Sequence, residues 1–494
     1  MLVHGYHPAV EDGELYLPGV KKVLNPALYP FNGQFFLSHA HMTVFPNLIA
    51  TSVRLTHIPF DYAVFLWHFA CIFAFLCGCW RVSRACFRHP LAPWGSVALV
   101  ASLLTIPVAG TALYIMDQYL TPRDLSTAGI MLVLADAVDR RYWRAAILTL
   151  LIAAIHPLMA VFGIGLLAIF FFEDRRISPP SAAMLLLPSL APVSSVYRHI
   201  LDTSYAYFLV TRWQWYEWLG IFAPLAILWA ISRTDDPSGT DDRFVSSVSC
   251  SSFPPSPRKP LARSLILFGL LSFAAALILC IPRLAGLTEL QPLRSLHLIF
   301  ILLFVFLGGI LAESILKSHA WRWLALLLPI CLGMFYAQRQ LFPATNHLEL
   351  PWTAPSNSWA QAFDWVRGNT PADAVFALDP NYMNLPNEDE HGFRELAERS
   401  SLANVHDQGG VSMFPALASD WSAQYTAQQN WSAFQLSDFR RLRRAYNVTW
   451  VVLEAPVAAA LPCPYRNHTV AVCRIDESGE RSEPLTPSPL APSP

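Results

Sequence analysis

The sequence predicts a polytopic α-helical membrane protein of about ten membrane segments that carries a small C-terminal exported α/β domain. Of its 494 residues, 54% are hydrophobic and only 14% are charged, against roughly 25% charged in soluble domains. Long apolar stretches end near residue 342, and short strand and helix patterns follow. A net charge of -1 gives no reason to expect nucleic acid, which needs a basic surface.

Ten apolar stretches supply the predicted membrane segments. They are residues 60–80, 93–116, 124–138, 143–155, 157–172, 181–197, 214–232, 264–282, 295–314 and 320–342. Crossing a bilayer takes about 20 helical residues. The third, fourth and fifth stretches fall short of this length, so we expect short or tilted helices there.

The positions of basic residues predict the orientation. Alternate loops hold groups of Arg and Lys, beginning with Arg81, Arg84 and Arg88 and ending with Lys317 and Arg322. Cytoplasmic loops retain such residues, so the N-terminus, the intervening loops and everything after about residue 343 are expected on the non-cytoplasmic side of the membrane. Lys21 and Lys22 oppose this assignment. An exported start with no preceding span or signal peptide predicts a further helix upstream of residue 1.

This topology divides the chain into four regions. Residues 1–59 form an exported acidic loop region, and residues 60–342 form the membrane domain. Within that domain, residues 233–263 are rich in Ser, Pro and charge, which is typical of a flexible cytoplasmic linker. Residues 343–478 form the exported α/β domain, and residues 479–494 are a disordered Pro/Ser tail.

The exported domain shows helical and strand periodicity in alternation. Helices are predicted around residues 359–369, 388–399 and 432–446, and strands at residues 374–378, 449–453 and 468–473. Cys463 and Cys473 are the two cysteines of this exported part, where a disulfide persists. We predict that they are bridged, the alternative being two unpaired buried cysteines.

The stretch from His7 to Tyr16 precedes every apolar span and contains Glu11, Asp12 and Glu14. We expect a polar, mobile loop at the membrane surface. Such carboxylates can act as a base or hold a metal. The alternative is a solvated acidic loop without chemistry.

Several polar residues lie where predicted spans meet the exported side. Asp117 and Arg123 can line a site facing the acidic loop, with Arg123 on a phosphate; alternatively Asp124 or Ser126 caps the next helix and Arg123 snorkels. Arg294 precedes a strongly apolar span and can bind phosphate through its guanidinium, or anchor that helix at the interface.

Two further candidates have structural alternatives. His156 precedes Pro157 within an apolar stretch, so it either reaches the site or is a structural histidine at a helix break. Arg212 lies among tyrosines and tryptophans before the span at 214–232, a cluster that can stack on a sugar or form an interfacial aromatic belt.

Three short stretches resemble the GT-C class of lipid-linked-sugar glycosyltransferases, and an uncharacterised bacterial branch in particular. They are Gly5-Tyr6-His7-Pro8 with Glu11-Asp12, the run from Asp117 to Thr127, and the run from Gln291 to His297. The layout of the whole chain is also similar to that class.

The resemblance implies a GT-C-like membrane fold and transfer of a sugar from a polyprenyl-phosphate donor to an exported acceptor. Asp12 would be the base that deprotonates the acceptor, and Glu11 would assist it or bind a divalent metal, Mg or Mn. Glu14 is a weaker candidate. Arg or a metal would stabilise the departing phosphate.

Two other classes of function stay open. A transporter or lipid flippase would need ionisable groups within spans, for which Asp136 and His156 are the main candidates. A non-catalytic envelope assembly protein would act through the exported domain. Its arginines at 440, 441, 443 and 444 can bind a partner, or form a solvated helix face.

Overall fold

The computed structural model describes residues 1–175, 194–234, 256–389, 391–457 and 461–475. The described chain is mostly helical and ends in a small sheet. The predicted tail, most of the predicted linker and most of the predicted span at 181–197 lie outside the described residues.

The N-terminal region is folded, so the expectation of a mobile loop was wrong. It contains α1 (Gly13–Leu24), α2 (Gln34–His41) and α3 (Phe45–Thr56). Leu17 and Val20 of α1 are completely buried, as are the polar side chains of His7 and Glu14. The acidic residues suggested exposure to solvent, but partners distant in the chain bury Glu14.

Ten helices follow in the membrane region as far as it is described. They are α4 (Phe60–Cys86), α5 (Ala92–Ser102), α6 (Pro122–Val138), α7 (Tyr142–Ile155), α8 (Pro157–Arg175), α9 (Ser195–Thr203), α10 (Trp215–Arg233), α11 (Arg258–Leu279), α12 (Leu296–Leu311) and α13 (Ala320–Leu341). Six helical stretches are long and apolar enough to cross a membrane: α4, α8, α10, α11, α13 and the stretch Gly286–Leu316 that contains α12. This agrees with a membrane protein.

The predicted span at 93–116 is not one helix. α5 ends at Ser102, and Pro107 lies in a turn in which the Val108 amide donates to the Leu113 carbonyl at 2.8 Å. Proline lacks the N–H that a continuing helix needs. The chain from 103 to 121 is therefore a connection, and it carries Asp117 and Tyr119.

Close helix packing holds this region together. Gly95 of α5 and Gly308 of α12 face each other so closely that a methyl group on either one would collide with the other's carbonyl oxygen. α6 is almost wholly buried and packs against α4, α7 and α8. Arg81 of α4 donates to Asp136 of α6 at 2.6 Å.

As far as it is described, the C-terminal domain contains five α-helices and five strands. They are α14 (Ser358–Asn369), β1 (Val375–Ala377), α15 (Phe393–Ala397), β2 (Ser400–Ser401), α16 (Gln408–Met413), α17 (Ala418–Ala427), α18 (Leu436–Tyr446), β3 (Trp450–Glu454), β4 (Tyr465–Arg466) and β5 (Val470–Arg474). The strand order is β2-β1-β3-β5-β4; β1 is parallel to β2 and β3, whereas β5 is antiparallel to its neighbours.

Side chains of the central strands alternate between two cores. Phe376 and Val452 pack with α14, whereas Val375 and Val451 pack with Phe439 of α18. The sheet is thus covered on both faces, as an α/β domain requires. A disulfide joins Cys463 to Cys473.

The N-terminal segment lies between the helices and the C-terminal domain. The Gly392 amide donates to the Ala9 carbonyl at 2.7 Å, and the Tyr6 amide donates to the His347 carbonyl at 3.1 Å. Gly392 sits against Glu14, where any Cβ would collide with that side chain. This close approach fixes the direction in which the acidic stretch runs.

Candidate functional site

A cavity of about 340 Å³ lies where five distant parts of the chain meet. Glu11 and Asp12 line it from the N-terminal segment, and the connection after α5 contributes residues up to Arg123 of α6. Tyr205, Tyr207 and Arg294 complete its walls together with His406 of the C-terminal domain. Five segments far apart in sequence thus lie at one end of the helices.

Asp12 is a partly exposed carboxylate of the cavity. It lies at the N-cap of α1, where the helix dipole favours negative charge. Its side chain is 36% exposed, and its Oδ2 lies 3.5 Å from Nη1 of Arg123. This contact is long, so the carboxylate keeps room for another partner.

Tyr119 holds the backbone beside Asp12. Its hydroxyl donates to Glu11 Oε2 at 2.9 Å and accepts from the Asp12 amide at 3.4 Å. Burial raises the pKa of Tyr119 well above its usual value, and the neighbouring Glu11 adds to this shift. The hydroxyl therefore stays protonated and can donate. Glu11 has a φ of +47°, a conformation rarely adopted by residues other than glycine.

Arg123 is buried and ion-paired with Asp117. It does not snorkel toward solvent. The N-cap of α6 is Thr121, whose hydroxyl accepts from the Asp124 amide at 3.1 Å, so the expectation of a cap at Asp124 or Ser126 was wrong. Threonine at this position satisfies an amide that the helix leaves unpaired.

Arg294 differs from Arg123 in its charge partners. It immediately precedes α12, and its guanidinium lies 6.0 Å from the ring centre of Phe208. Its Nε has no hydrogen-bond partner, and no carboxylate among the described residues lies within ion-pair distance. The cavity therefore contains a positive charge that the described part of the chain does not neutralise.

His156 and Arg212 do not line this cavity. His156 caps the end of α7, and its Nδ1 accepts from the Met159 amide at 3.3 Å across the break at Pro157. Arg212 is exposed. Of the aromatic cluster, Tyr205 and Tyr207 line the cavity, whereas Trp215 and Tyr216 face outward as belt residues do.

His406 is the cavity residue that the sequence did not indicate. It lies in a short 3₁₀ helix, Val405–Asp407, far along the chain from Asp12. Burial lowers the pKa of His406, and Asp12 opposes that shift. A lone histidine in a polar loop has no spacing pattern by which it could have been found.

The residues present offer little to a metal held by protein alone. Within the described ranges there is no group of three or more His, Cys, Asp or Glu side chains placed to hold a metal ion. Asp117 is engaged by Arg123, which leaves Glu11 and Asp12 as the two acidic groups nearest the opening.

No protein-family model matches this chain, and no curated protein is significantly similar to it in sequence. Support for a function therefore comes from the geometry of the cavity alone.

Proposed function

We propose that the protein is a membrane glycosyltransferase that moves a sugar from a polyprenyl-phosphate donor to an exported acceptor. The proposal places the cavity on the exported face, with the C-terminal domain in the periplasm. The observation that carries it is one accessible carboxylate, Asp12, and one guanidinium without a carboxylate partner, Arg294, lining the same cavity. A base and a phosphate-binding cation are the two groups that this transfer needs.

Asp12 would accept the proton of the acceptor hydroxyl. The acceptor oxygen then forms a bond to the anomeric carbon, while the bond from that carbon to the phosphate oxygen breaks. The phosphate leaves with the electron pair, and Arg294 stabilises its growing charge through guanidinium hydrogen bonds. Arg123 serves as a positioning residue, since its charge is shared with Asp117 and Asp12.

The position of the cavity suits a lipid-linked donor. Arg294 stands directly before α12, and Tyr205 and Tyr207 precede α10; both α10 and the stretch containing α12 are long and apolar enough to cross a membrane. A phosphate at Arg294 would therefore lie near the membrane surface, where the polyprenyl chain could remain in the lipid.

A divalent metal at Glu11 and Asp12, Mg or Mn, stays a prediction. The described residues offer it these two carboxylates, and Mg is often held by one or two carboxylates together with substrate phosphate. The transfer described above relies on the arginines, and none of its steps requires the metal.

The two alternative functions, transport and envelope assembly, gain no specific support from the contacts of their candidate residues. Asp136, the main candidate for a transport role, is paired with Arg81 at 2.6 Å. The arginines of α18, proposed for an assembly role, include Arg441, which forms an exposed ion pair with Asp438 at 2.9 Å. Both contacts are those of structural residues.

The experiment is transfer of radiolabelled sugar from polyprenyl-phosphate donors in membranes containing the native chain or Asp12→Asn. We expect at least a hundredfold loss of transfer in the variant at equal expression, because a general base contributes about 10²–10⁴-fold. Asp420→Asn, at an exposed position of α17, is the control and should retain full transfer. Equal transfer by Asp12→Asn and the native chain would disprove the base assignment.

A further inference from the structure

A second cavity, of about 360 Å³, lies beside the same N-terminal segment. Pro8 and Ala9 line this second cavity, whereas Glu11 and Asp12 line the first. Its other walls come from the first turn of α4, the connection after α13, and helices α14 and α15. Its volume falls in the range of roughly 300–1,000 Å³ that is common for ligand pockets.

Three buried polar atoms of residues that line this cavity have no hydrogen-bond partner in the described part of the chain. They are the hydroxyl of Tyr6, a residue with no exposed surface, Oε2 of Glu395, which is 4% exposed, and Nδ1 of His391, which is 2% exposed. Such an unsatisfied group costs about 1–3 kcal/mol, and most buried polar groups are hydrogen-bonded. A bound molecule with hydroxyl groups would satisfy these atoms.

The fixed charges in the cavity select the kind of molecule. Lys21 Nζ lies 3.3 Å from Glu395 Oε1 and 3.0 Å from Glu398 Oε1, so its charge is already balanced. The other charged residues of the lining are also of both signs, Arg367 and His391 against Asp61, Glu349 and Asp364. A cationic ligand would therefore meet positive side chains, and an anionic one would meet negative side chains. Only a neutral molecule avoids repulsion from both signs.

Part of the wall is apolar. Leu17, Phe60 and Val64 line the cavity together with Leu350 and Leu396. Sugars present this combination, with hydroxyl groups at the ring edge and C–H groups on the ring faces.

We propose that this second cavity binds a neutral sugar or a similar polyol. One hydroxyl would donate to Glu395 Oε2, another would accept from the Tyr6 hydroxyl, and a C–H face would pack on Phe60 and Leu17. The proposal does not depend on the transfer reaction, because none of these residues lines the cavity that contains Asp12.

The test is binding of free sugars to the purified full chain in detergent, measured by saturation-transfer NMR without any lipid-linked donor. The probes are glucose, galactose and mannose as neutral hexoses, glucosamine as the cation and glucuronate as the anion. We expect at least one neutral hexose to bind more tightly than either charged sugar. Tyr6→Phe should weaken that binding about five- to tenfold, the effect of one hydrogen bond.

Tyr6→Phe suits this purpose because it removes a hydroxyl that has no hydrogen-bond partner among the described residues, so no hydrogen bond of the described fold is lost. Tyr197→Phe is the matched control, since it removes a buried hydroxyl from a residue that lines neither cavity, and it should leave sugar binding unchanged. The proposal is overturned if no neutral hexose binds, if a charged sugar binds best, or if Tyr6→Phe binds as tightly as the native chain.

Discussion

Asp12 and Glu14 lie two residues apart, and each is close to an arginine, yet their surroundings are opposite. Glu14 is completely buried; its carboxylate accepts from the amides of Arg394 and Glu395 at 3.1 and 3.0 Å and lies 3.5 Å from the Arg394 guanidinium. Asp12 is 36% exposed and has one long contact, at 3.5 Å, to Arg123.

The arginines differ in the same way. Arg394 forms two hydrogen bonds of 2.7 Å to Asp407 and is completely enclosed. Arg294 has no carboxylate partner among the described residues and lines the Asp12 cavity. One acidic stretch therefore contains both a buried, ion-paired carboxylate, Glu14, and a partly exposed one, Asp12, two residues before it.

The largest expected effect comes from removing the positive charge of Arg394, which pairs with Glu14 and Asp407. Arg394→Gln leaves Glu14 and Asp407 buried without a cation, and removing one partner of a buried ion pair costs about 3–5 kcal/mol. Urea unfolding in detergent, followed by tryptophan fluorescence, measures the free energy of unfolding. Arg441→Gln is the control at an exposed ion pair, with an expected change below about 1 kcal/mol. Similar losses in both variants would contradict the role of Arg394.

The next largest effect distinguishes Arg294, which has no carboxylate partner among the described residues, from the buried and ion-paired Arg394. Arg294→Gln should slow sugar transfer about a hundredfold, which is about 2.7 kcal/mol in activation free energy, because the leaving phosphate loses its charge partner. The free energy of unfolding should stay nearly unchanged. Arg212→Gln, at an exposed position outside the cavity, should retain native transfer. A large loss of stability in Arg294→Gln would instead make Arg294 a structural residue like Arg394.

A second buried group of paired side chains, Glu349 with His7 and His391, makes stability depend on pH. Glu349 accepts from His7 at 2.9 Å and from His391 at 2.8 Å. Burial opposes ionisation of Glu349, but His391 and His7 prevail and lower its pKa to about 2. For His391, burial lowers the pKa, but Glu349 and Asp389 prevail and raise it.

The stabilisation from His391 is complete below its ordinary pKa of 6.5 and is lost as the pH rises through the raised pKa. The stabilisation from Glu349 is complete above its ordinary pKa of 4.5 and is lost as the pH falls toward its lowered pKa of about 2.

Glu349→Gln tests this group of paired side chains. The variant should lose about 2 kcal/mol near pH 6, where the carboxylate and the histidine are both charged, and only about 1 kcal/mol at pH 9, where a neutral histidine donates to the carboxylate. Urea unfolding at the two pH values measures the difference. An equal loss at both values would show that the histidine charge contributes nothing.

The smallest expected effect concerns the link between Glu11 and Asp12. Tyr119→Phe removes the hydroxyl that contacts both residues, which costs about 1 kcal/mol of stability. If this contact positions Asp12, transfer should fall several-fold, well short of the loss in Asp12→Asn. A loss as severe as that of Asp12→Asn would mean that Tyr119 acts on the substrate directly.

Local patterns in the sequence predicted much of the secondary structure. The stretches at 143–155 and 320–342 correspond to α7 and α13, and the strands expected at 374–378 and 449–453 correspond to β1 and β3 within a few residues. Helical and strand periodicity and apolar composition act over short distances, so a single sequence displays them. α1 was missed because its glutamate, glycine and proline residues are typical of a loop, and the burial that folds it comes from distant partners.

By itself, the sequence determined that this chain has helices apolar enough for a membrane, a small α/β domain at its end, and polar candidates at helix boundaries, Asp12 and Arg294 among them. Only the tertiary structure decided that these two residues line one cavity, that His406 joins them, that Arg212 lies outside it, and that Glu14 is buried and ion-paired. The reason is physical. Burial and charge pairing depend on groups hundreds of residues apart, and no local pattern records them.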